Sequence, residues 1–263
     1  MILPIKCNFR DGNKTMLEIK NIHKCFGEQK VLDGLNMSFE QGKIHTLVGG
    51  NGTGKTTLFN LMTGFLKLDK GEIWYNGKRL DNHSPVLINS EGITRTFQDL
   101  RIINQLTVKE NILLSFKNNP GEKILNSFLP SVIFKKQYAD FSERAKQILQ
   151  KIHLKEVENN LAGEISYGQQ KLLTIGCCLA NNADLLLLDE PVAGIDKDNY
   201  QRIYELIITL KKEGKTIIQI EHNHNFVERL SDTVWFLNAG QATVFYDYYS
   251  FLIDPIVKAT YLN

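Results

Sequence analysis

The sequence predicts an α/β fold organised around a parallel β-sheet that helices cover on both faces. From residue 169 onward, short and wholly apolar runs such as "LLLLDE" and "KTIIQI" alternate with helix-period runs such as "NYQRIYELIITLKK". A strand that is apolar on both sides must be buried on both sides, which an alternating strand and helix order achieves. Upstream, the glycine-rich "GGNGTGKTT" (residues 49–57) stands between the strand-like "KIHTLV" and the helix-like "TTLFNLMTGF", the order of a phosphate-binding loop.

Over residues 17–48 the segments "LEIKNIHKCF" and "LNMSFEQGKIHTLV", broken by Gly27, Gly34 and Gly42, read as strands joined by turns. In "EIWYNGKRL" the pair Asn76-Gly77 separates two strand-like pieces, a strong hairpin signal. The first third is therefore mixed, with antiparallel strands flanking the glycine-rich loop. "TVKENILLSF" opens with Thr107 and carries Glu110 three residues on, the reciprocal pattern that caps a helix start. "FSERAKQILQKI" puts Phe141, Ala145, Ile148, Leu149 and Ile152 on one helical face. These imply a helical subdomain over residues 99–168, although "KNNPGEKILNSFLPSVIFKK", with turn formers and two apolar clusters, fits no single element. "EISYGQQ" (164–170) reads as a small polar segment opening a further helix, "QKLLTIGCCLA". Residues 1–16 read as a flexible leader, with one domain running from 17 to 263.

Composition bounds the function. The 263 residues are 43% hydrophobic and 23% charged, enough for an ordinary globular core. Lys and Arg number 31 against 29 Asp and Glu, and a net charge of +2 gives no reason to expect nucleic acid as a partner. No apolar run approaches the roughly 18 residues of a membrane span, and "MILPI" is shorter than the apolar region of a signal peptide, so a cytoplasmic chain is expected. The four cysteines, Cys7, Cys25, Cys177 and Cys178, form no CxxC and read as reduced thiols, the vicinal pair buried on a helix.

Residues 49–57 fit Gly-x-x-x-x-Gly-Lys-[Ser/Thr]. In such a loop Gly49, Asn51, Gly52, Thr53 and Gly54 present backbone N–H groups to phosphate oxygens, and the following helix aims its positive end at them. Lys55 is placed to reach the β- and γ-phosphates, Thr56 to ligate Mg2+ and Thr57 to add a hydroxyl to the α-phosphate. "LLLLDEP" (185–191) supplies two carboxylates just past a buried strand, where ligands bind in open α/β sheets. Asp189 suits Mg2+ through water and Glu190 suits the base that orients and deprotonates an attacking water; two carboxylates there can also simply cap the next turn. His222, in "QIEHNH", follows "KTIIQI" to the same sheet edge, but a lone histidine there, like His224, also fits a surface or core position.

Together these segments resemble the nucleotide-binding subunit of ATP-binding cassette (ABC) transporters, over residues 17–263. "GGNGTGKTT" looks like the Walker A motif, "TFQD" the Q-loop, "SYGQQ" the signature, "LLLLDEP" the Walker B motif, "AGID" the D-loop and His222 the switch histidine. The resemblance implies a P-loop NTPase (RecA-like) parallel sheet core with an antiparallel β subdomain and a helical subdomain, the ABC ATPase fold. It implies that Phe26 stacks on adenine, that Gln98 joins Mg2+ and the lytic water, and that His222 touches the γ-phosphate. It further implies a two-fold dimer with a second ABC ATPase subunit, identical or paralogous, in which Ser166, Gly168 and Gln169 of one copy, with Asp196 nearby, close over ATP held by the other. Phe26 departs from the more usual tyrosine, Tyr167 and Gln169 vary the commoner "LSGGQ", and Gly50 replaces a frequent proline.

Within the family, "GITRTFQDLRIINQLTVKENILLSF", "AGEISYGQQKLLTIGCCLA", "PVAGID" and the ending "DPIVKATYLN" resemble the ATPase subunits of branched-chain amino acid importers and of related urea or amide importers. Asp196 stands where that branch often has asparagine. The resemblance implies transmembrane permease subunits as partners, a solute-binding protein indirectly, and a place on the cytoplasmic face of the plasma membrane. Rival readings are the ATPase of a lipid or lipopolysaccharide exporter and a soluble scaffold ABC ATPase.

Overall fold

The computed structural model describes residues 14–98, 100–117 and 131–262, and of residues 131–138 the backbone. β1 (Thr15–Phe26) and β2 (Gln29–Glu40) pair antiparallel, and β3 (Ile44–Val48) then leaves for a second sheet and leads into α1 (Lys55–Met62). β4 (Lys70–Tyr75) returns to β1, and β5 (Lys78–Arg79) completes a four-stranded antiparallel sheet in the order β2-β1-β4-β5. α2 (Pro85–Ser90) and β6 (Ile93–Arg95) precede three helices, α3 (Val108–Leu114), α4 (Ser131–Lys151) and α5 (Tyr167–Ala180). Strand and helix then alternate through β7 (Leu185–Asp189), α6 (Lys197–Lys212), β8 (Thr216–Ile220), α7 (His224–Leu230) and β9 (Thr233–Asn238). β10 (Gln241–Phe245), α8 (Tyr248–Ile253), α9 (Pro255–Val257) and a π turn (Lys258–Leu262) follow.

The second sheet runs β10-β9-β3-β8-β7-β6, with β9, β3, β8, β7 and β6 parallel and β10 an antiparallel edge. Side chains alternate across a strand, and β7 shows why its run is apolar throughout. Leu185 and Leu187 pack on α1 and the antiparallel sheet, whereas Leu186 and Leu188 pack on the side of α5 and α6. All four leucines are fully buried, and at about 2 kcal/mol each they fix the strand within the sheet. A third cluster, Val48, Val227, Val234, Phe236, Phe251 and Val257, holds α8 and α9 against the end of β3.

Local signals account for most boundaries. Asn76 and Gly77 form the two-residue turn between Tyr75 and Lys78, both at positive φ, as a type I′ hairpin requires. Thr107 and Glu110 form both halves of the capping box at α3. Gly34, expected to break a strand, instead lies inside β2 as the extra residue between the pairs Ile22↔Leu35 and His23↔Asp33. Its φ of +75° makes it a bulge of the glycine type. The strand begins at Thr15 and Met16 is already buried, while residues 1–13 of the expected leader lie outside the described residues. α4 starts at Ser131, ten residues before the periodic "FSERAKQILQKI", and residues 118–130 of the segment the sequence could not assign also lie outside. Cys25, Cys177 and Cys178 are free thiols, with burial pushing Cys177 up to about 11 and Cys178 to about 12. Cys7 lies outside the described residues.

The loop that follows the Gln98 segment is tied to α3 by one side chain. Buried Asn111 accepts from the Ile103 N–H at 2.8 Å and donates to the carbonyls of Ile103 and Thr107 at 3.1 and 3.0 Å. Asn111→Leu keeps the volume but strands these backbone groups, so a loss of about 2 to 3 kcal/mol is expected in urea denaturation. A loss below about 1 kcal/mol would show that the loop is held by other means.

Candidate active site

The loop of residues 49–54 runs from the end of β3 to the start of α1. A Cβ on Gly49 would fall 2.4 Å from the Leu237 carbonyl oxygen on β9, so only glycine lets the loop leave the sheet here. Lys55 is buried and its Nζ donates to the carbonyls of Gly49 and Gly50 at 2.7 and 2.8 Å. Burial holds its ammonium below the usual lysine value, opposed by the charges of Glu190 and Asp189. The Thr53 hydroxyl donates to Gly50 O; Asn51, Gly52 and Thr56 are exposed and Thr57 is half-buried.

α1 follows Gly54, its N-cap, with no side-chain cap and no acidic residue in its first turn. α2, α3, α5, α6, α7, α8 and α9 all carry a side-chain cap. The free N–H groups of a helix start attract anions, and among the described residues no side chain caps those of α1.

Three parallel strands bring the remaining groups to the same edge. Leu47 on β3 and Asp189 on β7 both pair with Ile220 on β8, so the three loops leave the sheet at one level. Asp189 is buried, its Oδ2 accepting from Arg95 Nη2 at 2.8 Å. Glu190 holds a left-handed backbone, φ +48°, which for a non-glycine residue costs about 1 to 3 kcal/mol. Its N–H donates to Ile220 O at 3.0 Å and its carbonyl accepts from Lys171 Nζ at 2.8 Å. Its Oε1 lies 3.7 Å from Nε2 of His222. Burial, followed by the charge of Lys55, lowers the His222 pKa, so the neutral imidazole dominates near pH 7.

Three residues that the sequence reading passed over complete the edge. Glu221, buried, accepts from the backbone of Val192, His222 and Asn223, stapling the loop after β7 to the loop after β8. Lys171 anchors the Glu190 carbonyl from α5, and burial pulls its pKa down. Arg95 ends β6 with Nη1 on Asn60 of α1 and Nη2 on Asp189, so it ties the phosphate-loop helix to the β7 carboxylate. The signal for each was a charged residue inside an apolar run: "GITRTF", "QKLLTI" and "TIIQIE".

The structure separates the other expected residues from this group. Ser166 is exposed and caps α5 by accepting from the Gln169 N–H, while the Gln169 side chain accepts from the Ser166 N–H at 2.9 Å. Gly168 is buried, and a Cβ there would meet the Asn199 side chain at 2.5 Å, so its lack of bulk also serves packing on α6. Asp196 caps α6 and binds the Asn199 side chain. Among the described residues, no hydrogen bond or ion pair joins Ser166, Gln169 or Asp196 to Lys55, Asp189, Glu190 or His222. Phe26 stands half-exposed at the end of β1, with the Lys24 ammonium 5.5 Å from its ring centre. Gln98 is exposed beside a cleft of about 700 Å³ between β6 and α2 on one side and the ends of α3 and α5 on the other.

Comparison with known proteins gives the same assignment by an independent route. A family model described as ABC transporter matches residues 32–193. A probable branched-chain amino acid transport ATP-binding protein, LivG, of Methanocaldococcus jannaschii is 37% identical over 226 residues, covering 86% of this chain and 87% of that protein. The high-affinity branched-chain amino acid transport ATP-binding protein BraF of Pseudomonas aeruginosa is 31% identical over 229 residues, covering 87% and 90%. The crystal structure of the ADP conformation of an ATP-binding cassette of an ABC transporter superposes with a TM-score of 0.81 at 34% identity, covering 95% of this chain and 99% of that one.

Arg95→Met removes the cation and leaves the Asp189 carboxylate buried and unpaired, so a loss of about 3 to 5 kcal/mol is expected. Adding Asp189→Asn in the same chain removes the orphaned charge and recovers most of that loss. Chemical denaturation of both variants reads this directly, and no recovery in the double variant would show that Arg95 is held for its packing instead.

Proposed function

The chain belongs to the ABC transporter family of ATP-binding cassettes and hydrolyses ATP, and from that premise we propose that it powers uptake of branched-chain amino acids, or a related small solute, through separate permease subunits. The observation that carries the chemistry is the start of α1, which has no side-chain cap and faces a carboxylate held in a strained backbone. The solute class rests on what the relatives' names say they transport.

The N–H groups of residues 49–54 and of the α1 start bind the β- and γ-phosphates, and Lys55 exchanges the carbonyls of Gly49 and Gly50 for phosphate oxygens. Thr57 takes the α-phosphate and Phe26 stacks on adenine. For Mg2+ the donor set fits: Thr56 hydroxyl, Gln98 amide oxygen and Asp189, whose Oδ1 makes no hydrogen bond among the described residues, are all hard oxygens. Among the described residues no cluster of three or more His, Cys, Asp or Glu can hold a metal alone, which suits an ion that arrives with the phosphates. Once bound, Mg2+ neutralises charge developing on the β- and γ-phosphate oxygens.

Glu190 orients water and takes its proton as the water oxygen bonds to the γ-phosphorus and the bond to the ADP oxygen breaks. The strain at Glu190 serves this by aiming the carboxylate off the strand end, and the bonds from Lys171 and to Ile220 hold it there. His222 donates from Nε2 to a γ-phosphate oxygen.

Ser166 spends its oxygen on the Gln169 N–H and keeps its O–H proton for a further acceptor. With no route to the chain's own site, that acceptor is the γ-phosphate bound by a second ATPase subunit, identical or paralogous, in a two-fold dimer where Gly168, Gln169 and Asp196 line the join. The cleft beside Gln98 is the docking place for the permease. Phe97 lies at its wall with the Arg101 guanidinium 3.5 Å from its ring centre, and Val86 and Leu114 are exposed around it. Among the described residues no helix is long and apolar enough to cross a membrane, so such docking is what holds the chain to the cytoplasmic face. A solute-binding protein acts only through the permeases.

Lys55→Ala is expected to weaken ATP binding to the isolated subunit by about tenfold or more, about 1.4 kcal/mol. Ser166→Arg should leave that affinity within about twofold while abolishing hydrolysis, and equal losses of affinity would sink the division of labour. Cells carrying Glu190→Gln should lose uptake of radiolabelled leucine, isoleucine and valine; normal uptake of all three would remove that solute class.

A further inference from the structure

Two histidines beyond β8 each face a tyrosine of the C-terminal segment. Nδ1 of His222 lies 3.3 Å from the Tyr261 hydroxyl, and Nδ1 of His224 hydrogen-bonds the Tyr248 hydroxyl. Tyr261 is carried on the π turn that follows α9, and its ring packs 5.9 Å from Phe236 and 6.1 Å from Phe251. Both phenylalanines belong to the buried cluster that includes Val48, the residue before Gly49. The hydroxyl is therefore held on the same framework as the phosphate loop.

The other ring nitrogen of His222 decides the direction of that hydrogen bond. Nε2 lies 3.7 Å from Oε1 of Glu190, and an ionised carboxylate can only accept. The proton of a neutral imidazole therefore belongs on Nε2, which leaves Nδ1 a lone pair that needs a donor. Tyr261 presents an O–H at that place. Burial raises the pKa of Tyr261, so the phenol keeps its proton at neutral pH.

We propose that Tyr261 is a positioning residue for ATP hydrolysis: its O–H donates to Nδ1 of His222 and holds the ring in the tautomer whose Nε2–H faces Glu190 and the γ-phosphate. This rests on the reading of His222 as a γ-phosphate donor. In the other tautomer Nε2 would turn a lone pair toward a phosphate oxygen, which repels. Tyr248 supplies an internal control, since it comes from the same C-terminal segment and binds a histidine that makes no ion pair or hydrogen bond with Glu190 among the described residues.

The test uses the full-length chain. In protein labelled with 15N-histidine, long-range proton–nitrogen correlation spectra report which nitrogen of His222 carries the proton. The wild type is expected to show a protonated Nε2 and a bare Nδ1, and Tyr261→Phe a mixture. Tyr261→Phe is expected to lower kcat for ATP about tenfold with KM unchanged, whereas Tyr248→Phe leaves both as they are. In a His222→Gln background Tyr261→Phe should add nothing, because the ring it positions is gone.

A protonated Nδ1 in the wild type overturns the proposal, as do equal losses in the two tyrosine variants or an additive loss in the double variant. If His222→Gln impairs hydrolysis and Tyr261→Phe does not, only the proposal falls. If His222→Gln hydrolyses ATP normally, the role of His222 falls first and takes the proposal with it.

Discussion

Everything at the active edge depends on the register of three parallel strands. Leu47, Ile220 and Asp189 lie on one line across β3, β8 and β7, and the chain continues from that line as the phosphate loop, as Glu221-His222 and as Glu190. The Glu190 N–H bonds Ile220 O and the Glu221 N–H bonds Leu47 O, so the ladder extends one step into the loops themselves. A slip of one residue in any strand would turn its functional side chain to the opposite face. The buried leucines of β7 and isoleucines of β8 make that slip costly.

On that frame sits a compact set of opposed charges: Lys55, Lys171 and Arg95 against Asp189, Glu190 and Glu221. Four of the six are less than a tenth exposed, and Arg95 has its side chain only 4% exposed. Burying a charge alone costs several kcal/mol; here Asp189 meets Arg95 and Glu221 accepts from three backbone N–H groups. Two of the cations reach backbone carbonyls, Lys55 those of Gly49 and Gly50 and Lys171 that of Glu190. The edge is stiff enough to keep Glu190 in a backbone conformation that L-residues avoid. That stiffness suits the role proposed for Glu190, whose carboxylate must be in place before the water arrives.

The sequence disclosed what local chemistry forces. "LLLLDE" announces a strand buried on both faces, Asn76-Gly77 a tight hairpin, and Thr107 with Glu110 a helix start, each because few residue types satisfy those backbones. The phosphate loop is legible for the same reason, since Gly49 admits no side chain. Interactions between distant parts of the chain were not legible. Arg95 and Asp189 are 94 positions apart and His222 and Tyr261 are 39 apart, and a charged or phenolic residue read alone looks like surface. Gly34 misled because a strand with a bulge and two strands with a turn share the same glycine. Gly168 carried two meanings, of which only the smaller one, packing on Asn199, lies within a single chain.

On the proposed function this edge is half of a site, and Ser166 completes the site of another subunit. The most direct measurement is the mass in solution of Glu190→Gln, with and without Mg-ATP. The shared site predicts one subunit without nucleotide and two with it, since slowed hydrolysis leaves ATP holding the halves together. ATP bound at a mass of one subunit, both alone and with a second ATPase subunit of the same complex, would contradict it.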